Sequence, residues 1–184
     1  MKKIYLFLLV GFAFSSCEKD DICDAATPTT PRLIIEFYDV ANPAVLKNVT
    51  NLKVIGLDNE EGVILNETAT IDGLRYISNA NTIGIPLNPL TQTSELRFIL
   101  NFGNTNTALI LTDTLEFNYS TRDEFVSRAC GFKTLYTLNP TSNPLFPIIL
   151  NDNPDSELGN WIKDIEILQS NIVTENEVHV KIYF

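Results

Sequence analysis

The chain has 184 residues, of which 45% are hydrophobic and 20% are charged, and its 23 acidic and 13 basic side chains give a formal net charge of −10. This balance argues against nucleic acid as a partner, because binding it needs clustered Lys and Arg to displace counterions. It argues equally against a broad electrostatic contact with anionic lipid headgroups.

The N-terminus has the pattern of a bacterial lipoprotein signal peptide. Two lysines follow the first methionine, eleven mostly apolar residues run from Ile4 to Phe14, and two serines precede Cys17. This pattern predicts removal of residues 1–16 and a lipid on Cys17. The apolar run is too short for the ~20 residues of a transmembrane helix. The alternative is an ordinary secretory signal, which would leave Cys17 as a thiol.

Residues 17–31 are predicted to form an extended, acidic tether. Two prolines and three threonines in its second half disfavour a helix. Without the two lysines of the signal, the mature chain has 11 basic and 23 acidic residues, a net charge of −12. The string Lys19, Asp20 and Asp21 resembles the export signal that directs lipoproteins of Bacteroidota to the outer face of the outer membrane. The alternative is a solvated acidic tether with no signalling role.

Two longer segments resemble an uncharacterised lipoprotein family of flavobacteria. They are CEKDDICDAATPTTPRLIIEFYD at residues 17–39 and EFVSRACGFKTLY at residues 124–136. The resemblance covers nearly the whole mature chain and implies a compartment and a compact domain, but no activity. We therefore expect a lipid-anchored protein of the outer membrane that faces the cell surface, with a periplasm-facing orientation as the alternative.

Two cysteines remain once Cys17 carries lipid, namely Cys23 in the tether and Cys130 in the domain. A leftover pair in an exported protein favours a disulfide, which would fix the tether to the body of the domain. Closing a loop of about a hundred residues contributes ~4.7 kcal/mol in the chain-entropy model. The alternative is two unpaired thiols. We do not expect metal binding by this pair, because no further Cys or nearby His completes a site.

Residues 32–184 are predicted to form one all-β domain, an antiparallel β-sandwich-like fold of the immunoglobulin or Greek-key kind. Apolar and polar residues alternate with period two in three segments, so that one face of each strand packs. Short strands separated by Asn, Gly and Pro turns are typical of such a sandwich. The alternating segments are 33–38, 95–102 and 114–119, and further strands are expected at 52–57, 63–65, 74–78, 83–87, 108–111 and 131–138. Residues 121–128 allow a short helix or a strand, and residues 139–154 are expected to form a long loop.

The C-terminal segment Glu177–Phe184 has the clearest alternation. Val178, Val180 and Ile182 fall on its apolar face, so we expect His179, the only histidine, on the wetter face. An exposed strand histidine is more often a cross-strand contact than a catalyst. The run 162–168 is expected to pair with this segment.

The sequence contains no pattern that predicts a catalytic centre. A Ser-His-Asp triad would have to recruit His179, and neither a G-x-S-x-G elbow nor a phosphate-binding glycine loop is present. Asp58, Glu60 and Glu61 are the first candidates for paired carboxylates or a weak calcium site. They fit a polar hairpin turn better, because Asp-Asn and Gly62 supply turn conformations. We therefore expect no enzymatic activity, no cofactor and no bound metal.

Several aromatic residues in the second half of the chain either line a recognition surface or fill the core. They are Phe125, Phe132, Tyr136, Phe146 and Trp161. Separately, the Asp-Thr-Leu sequence at 113–115 resembles the acceptor for O-glycosylation in Bacteroidota, which would place a glycan on Thr114.

Three functions stay open from the sequence. The first is a non-catalytic binding or structural module, such as an accessory lipoprotein that docks on an outer-membrane β-barrel protein. The second is a small-molecule or glycan-binding lipoprotein with an aromatic cleft around Trp161. The third, a hydrolase that uses carboxylates, is ranked last.

Overall fold

The computed structural model describes residues 22–24, 27, 29–56, 61–142, 144–151 and 159–184. The chain divides into two compact units. The main unit contains residues 31–122 and 134–184, and the small unit contains residues 1–30 and 123–133. Within the described ranges, no helix combines the length and the apolar character that crossing a membrane requires.

The regular secondary structure of the described residues is almost entirely β-strand. The first five strands are β1 (Leu33–Asp39), β2 (Asn42–Leu46), β3 (Lys53–Gly56), β4 (Thr82–Ile85) and β5 (Thr93–Leu100). The others are β6 (Leu111–Ser127), β7 (Gly131–Leu138), β8 (Ile148–Asn151), β9 (Asp164–Ile167), β10 (Asn171–Ile172) and β11 (Val180–Tyr183). A one-turn helix, α1 (Asp72–Arg75), and a 3₁₀ turn at Thr107–Leu109 complete the set.

The first sheet of the main unit is built around β1. Its strand order is β2-β1-β11-β9, and β4 also pairs with β1. β11 runs parallel to β1, with Ile35 opposite Val180, whereas the other pairs are antiparallel. The predicted all-β, sandwich-like fold is therefore confirmed, and the expectation that every pair is antiparallel is wrong for β1 and β11.

The second sheet has the strand order β10-β7-β6-β5-β3, and β8 pairs with β6. β8 lies inside residues 139–154, which the sequence predicted to be a loop. Ile148 and Leu150 of this strand pack against the core. The four prolines of residues 139–154 favoured the prediction of a loop. The short strand β8 forms nevertheless, because it packs against the core and pairs with β6.

The core of the main unit is formed by residues that alternate along the predicted strands. Leu33, Ile35 and Phe37 are fully buried, and so are Leu115 and Phe117 of the second sheet. Burying side chains of this size contributes about 1.5–3 kcal/mol each. Burial of one face stabilises these strands, and this is the feature that period-two alternation in the sequence detects.

Three of the predicted strands are wrong or displaced. Residues 74–78 contain the end of α1, and Leu74 is 52% exposed, so burial of an apolar face does not favour a strand there. Residues 63–65 form no regular strand, although the Val63 N–H donates to the Val54 carbonyl. The strand expected at 108–111 begins only at Leu111, after the 3₁₀ turn.

Candidate functional site

Several residues singled out in the sequence lie outside the described residues. They are Cys17, Lys19, Asp20, Asp21, Asp58 and Glu60. Glu61, the third acidic residue of the candidate carboxylate group, is described and exposed. It precedes Gly62, whose φ of 99° is a turn conformation that favours glycine.

Cys23 and Cys130 form a disulfide, with their Cα atoms 4.9 Å apart. The cysteine count favoured this pair, and Cys130 belongs to the predicted domain of residues 32–184. Both cysteines belong to the small unit, because Cys130 lies in the turn between β6 and β7. The bridge therefore fixes the tether to the tip of a hairpin.

His179 is fully buried, so its predicted position on the wetter face is wrong. The Ile34 N–H donates to His179 Nδ1 at 2.9 Å, and the His179 N–H donates to the Ile34 carbonyl at 3.0 Å. The regular strand begins only at Val180, and period-two alternation does not govern the residues before it. Burial lowers the pKa of His179, although the charges of Glu177 and Glu175 oppose this shift. Among the described residues, none forms a hydrogen bond with His179 Nε2.

Arg32 holds two chain segments together at the start of β1. Its Nε and Nη2 donate to the carboxylate of Glu175 at 2.7–3.1 Å, and its Nη1 donates to Glu67 Oε1 at 2.8 Å. The hydrogen bond with Glu175 raises the pKa of Arg32, and the same bond lowers the pKa of Glu175. This arrangement is structural, because every guanidinium nitrogen already donates to a carboxylate.

Trp161 packs in the core of the main unit. Only 5% of it is exposed, its ring lies against those of Phe37 and Phe184, and its Nε1 donates to the Phe98 carbonyl at 3.2 Å. Tyr136 is likewise buried. The proposed aromatic cleft around Trp161 is therefore wrong. Three other members of the aromatic set, Phe125, Phe132 and Phe146, are exposed.

The Asp-Thr-Leu sequence at 113–115 lies in the middle of the second sheet. Asp113 is 1% exposed, and its Oδ2 accepts the Ile162 N–H at 2.7 Å. Thr114 is half-buried and is paired with Arg97 on one side and Asn151 on the other. Asp113 thus has a structural role, and Thr114 lies within a paired strand.

The wetter face of the first sheet carries a cluster of two tyrosines, two glutamates and one lysine, which we call the tyrosine cluster. Its members are Glu36, Tyr38, Glu166, Lys181 and Tyr183. Tyr38 and Tyr183 are neighbours in the parallel register of β1 and β11, with ring centroids 5.7 Å apart. Lys181 is opposite Glu166 in the β11–β9 pair. Strand periodicity and register together place all five side chains on one face.

Each tyrosine of the cluster donates to a carboxylate. The Tyr38 hydroxyl donates to Glu36 Oε2 at 2.8 Å, and the Tyr183 hydroxyl donates to Glu166 Oε2 at 2.7 Å. The hydrogen bond to Glu166 is the main reason that the pKa of Tyr183 is raised to about 12. The bond to Glu36 raises the pKa of Tyr38 in the same way. Both hydroxyls therefore stay protonated at neutral pH and act as hydrogen-bonding groups.

An exposed apolar corner lies on the β1–β2 hairpin of the same sheet. We define it as Val40, Val45 and Leu46, which are 47%, 48% and 44% exposed. All five residues of β2 are exposed. An open depression of about 400 Å³ adjoins both the corner and the tyrosine cluster, and it is lined by Val40, Pro43, Asp164, Ile165, Glu166 and Tyr183. This combination of tyrosines, carboxylates and apolar side chains suits non-covalent recognition.

A second open depression, of about 460 Å³, lies beside Ser94. The Ser94 and Tyr119 hydroxyls are 2.6 Å apart, and each also bonds to the backbone of Asn88. These groups hold the loop before β5 in place and leave little capacity for a ligand. Among the described residues, no group of three or more His, Cys, Asp or Glu is placed to hold a metal ion.

Searches of curated proteins and of solved structures found no significant match to this chain. A search of protein-family models matched residues 51–184, which begin after β2 and extend through β11. The match covers well over half of the chain. The chain therefore belongs to DUF6452, a family of unknown function.

Proposed function

We propose that the protein is a lipoprotein of a flavobacterium, or of a related member of the Bacteroidota, held in the outer membrane by a lipid on Cys17. Its β domain is a non-catalytic binding module. The signal pattern before Cys17 supports the anchor, and the disulfide between Cys23 and Cys130 fits an exported protein. The tyrosine cluster beside the apolar corner is the observation that supports binding.

The chemistry of the described residues favours binding over catalysis. The only histidine is buried, and its Nδ1 accepts a backbone N–H. A general base must reach the proton that it abstracts, and His179 does not meet a solvent-exposed ligand. Tyr183 keeps its proton at neutral pH because its pKa is raised to about 12.

We further propose that the partner is another protein of the outer membrane, such as a β-barrel protein. β2 is an edge strand, so its outer backbone groups are open to a strand from a partner. The apolar corner supplies area that is buried on docking, and tyrosines are frequent hot-spot residues in interfaces. The protein would then be an accessory subunit of a membrane complex.

A second candidate is a small ligand with several hydroxyl groups, such as a glycan. The specific observation is the depression of about 400 Å³, because Asp164, Glu166 and Tyr183 meet there beside Val40 and Pro43. Carboxylates accept hydrogen bonds from hydroxyl groups, and an apolar wall covers carbon atoms.

The anchor is tested by metabolic labelling with an alkyne fatty acid. The wild-type chain should carry the label and sediment with outer membranes, whereas Cys17→Ser should lose the label. If Cys17→Ser stays labelled, the anchor assignment is wrong. Surface display is tested by changing Lys19, Asp20 and Asp21 to alanine, which should protect the lipidated protein from protease on intact cells.

The docking surface is tested by crosslinking and affinity purification from native outer membranes. We expect Val45→Asp to lose a stoichiometric partner that the wild-type chain retains. Leu90→Asp is the matched control, because Leu90 is 92% exposed and lies outside the apolar corner. Recovery of the wild-type protein alone would contradict docking. Binding of a glycan that Glu166→Gln abolishes would then support the second candidate.

A further inference from the structure

The small unit carries a pair of exposed aromatic rings. Phe125 on β6 is 58% exposed and Phe132 on β7 is 68% exposed. Their ring centroids are 5.4 Å apart, with an angle of 67° between the planes. Glu124 precedes Phe125, Lys133 follows Phe132, and these two charged side chains form an ion pair at 3.0 Å. Because successive side chains of a strand point to opposite faces, the ion pair lies on the other face of the hairpin. The hairpin tip is therefore amphipathic.

The disulfide places this tip close to the start of the mature chain. Only six residue steps separate Cys17 from Cys23, so the intervening chain spans at most ~20 Å. Cys23 is bonded to Cys130 in the turn of the same hairpin. Along the backbone alone, fourteen steps lead from Cys17 to Pro31, the first residue of the main unit, and these span up to ~50 Å. Through the bridge, the hairpin tip is therefore connected to Cys17 by a shorter stretch of chain than the main unit is.

The charge of the tip differs from that of the rest of the chain. Residues 123–133 contain two acidic and two basic side chains, whereas the mature chain has a net charge of −12. A neutral tip approaches anionic headgroups with little electrostatic repulsion. Ile22, which precedes the bridged Cys23, is 82% exposed and adds a third apolar side chain.

We infer that the β6–β7 hairpin tip contacts the bilayer that holds the lipidated Cys17, with Phe125 and Phe132 in the membrane interface. This inference rests on the proposed lipid anchor. Phe is among the side chains that amphipathic segments insert at the boundary between headgroups and acyl chains. This interface extends ~5–7 Å on each side of the hydrocarbon core. The lipid keeps the chain at the membrane, and the hairpin fixes which surface of the small unit faces it.

The test uses the full-length, lipidated protein in vesicles of phosphatidylethanolamine and phosphatidylglycerol with brominated acyl chains. Phe132→Trp places a fluorophore at the tip, and Leu90→Trp is the control at an exposed site of the main unit. Trp161 is buried and gives the same background in both variants. We expect bromine to reduce the emission of the added tryptophan about twofold or more in Phe132→Trp and to leave Leu90→Trp unchanged. Reducing the disulfide should weaken the quenching.

The outcomes separate the inference from the proposed function. Mass spectrometry first establishes whether Cys17 carries lipid, and its absence would overturn both. Lipidated Phe132→Trp with no more quenching than Leu90→Trp would overturn the membrane contact alone. Blue-shifted emission without bromine quenching would place the tip against protein, including a second copy, and would also overturn it. Phe125→Trp repeats the measurement at a second position, in case Phe132→Trp fails to fold.

Discussion

Ile34 and His179 are joined by two hydrogen bonds although 145 positions separate them in the chain. The His179 side chain accepts the Ile34 N–H, and the His179 backbone donates to the Ile34 carbonyl. Because Nδ1 is an acceptor, the neutral ring carries its proton on Nε2. A second proton on the ring would break the bond from Ile34 and bury a charge.

The stability of the domain should therefore fall as pH is lowered through 6.5. The folded-state pKa of His179 lies below its ordinary value of 6.5, so the unfolded chain binds a proton first. The free energy of unfolding should decrease by up to ~1.4 kcal/mol per pH unit between 6.5 and the folded-state pKa. Urea unfolding between pH 8 and pH 5.5 measures this change.

His179→Asn is the control for the pH effect. The Asn Oδ1 can replace Nδ1 as an acceptor for the Ile34 N–H, but it does not titrate. The variant should be folded and should have a flatter stability profile over the same pH range. An equally steep profile in His179→Asn would assign the effect to another group.

Arg32 and Glu175 should show a modest coupling energy. About a third of each side chain is exposed, at 36% and 33%, so solvent screens the pair. We expect Arg32→Ala and Glu175→Ala to be coupled by about 1 kcal/mol or less in a double-mutant cycle, and by less at high salt. Arg32→Lys should not restore the wild-type stability, because Lys lacks the planar fork. Additive single variants would contradict the coupling.

Tyr183 should titrate late. The hydrogen bond to Glu166 raises the pKa of Tyr183 to about 12, so ultraviolet titration should show a tyrosine that ionises near this pH. The variant Tyr183→Phe should lose that late step, whereas Tyr38→Phe should retain it. Since the folded-state pKa is raised, the stabilising effect is present below pH 10 and decreases as pH rises towards 12. An unchanged titration curve in Tyr183→Phe would show that the late group is another tyrosine.

Reduction of the disulfide should destabilise the protein. Cys23 and Cys130 are 107 positions apart, and a bridge of this span stabilises by up to ~4.7 kcal/mol in the chain-entropy model. Urea midpoints with and without a thiol reductant measure the effect. The double variant Cys23→Ser and Cys130→Ser should match the reduced wild type and should not respond to reductant. A response in the variant would point to another effect of the reductant.

Strands with one buried face were predictable from the sequence. Leu33, Ile35 and Phe37 alternate with half-buried residues along β1, and Val180 and Ile182 flank the half-buried Lys181 in β11. β2 was missed because all five of its residues are exposed and no alternation marks them. α1 was predicted as a strand because a four-residue helix without buried residues has no helical pattern.

The tyrosine cluster was only partly predictable. Alternation placed Tyr38 and Tyr183 on the wetter faces of their strands. Their contact depends on the parallel register of β1 and β11, which local sequence does not encode. His179 was misplaced for a related reason, because its burial comes from bonds to Ile34 and not from the pattern of its own segment.

The parallel pairing of β1 with β11 also affects when the domain can fold during synthesis. β11 lies between β1 and β9, and Ile35 faces Val180, so the first sheet closes only when both ends of the domain are available. Contacts so distant in sequence slow folding. A chain that emerges from the ribosome N-terminus first lacks this central strand until residue 180 is made. If the protein is exported as proposed, this delay would favour the unfolded state that passage through a translocation channel requires.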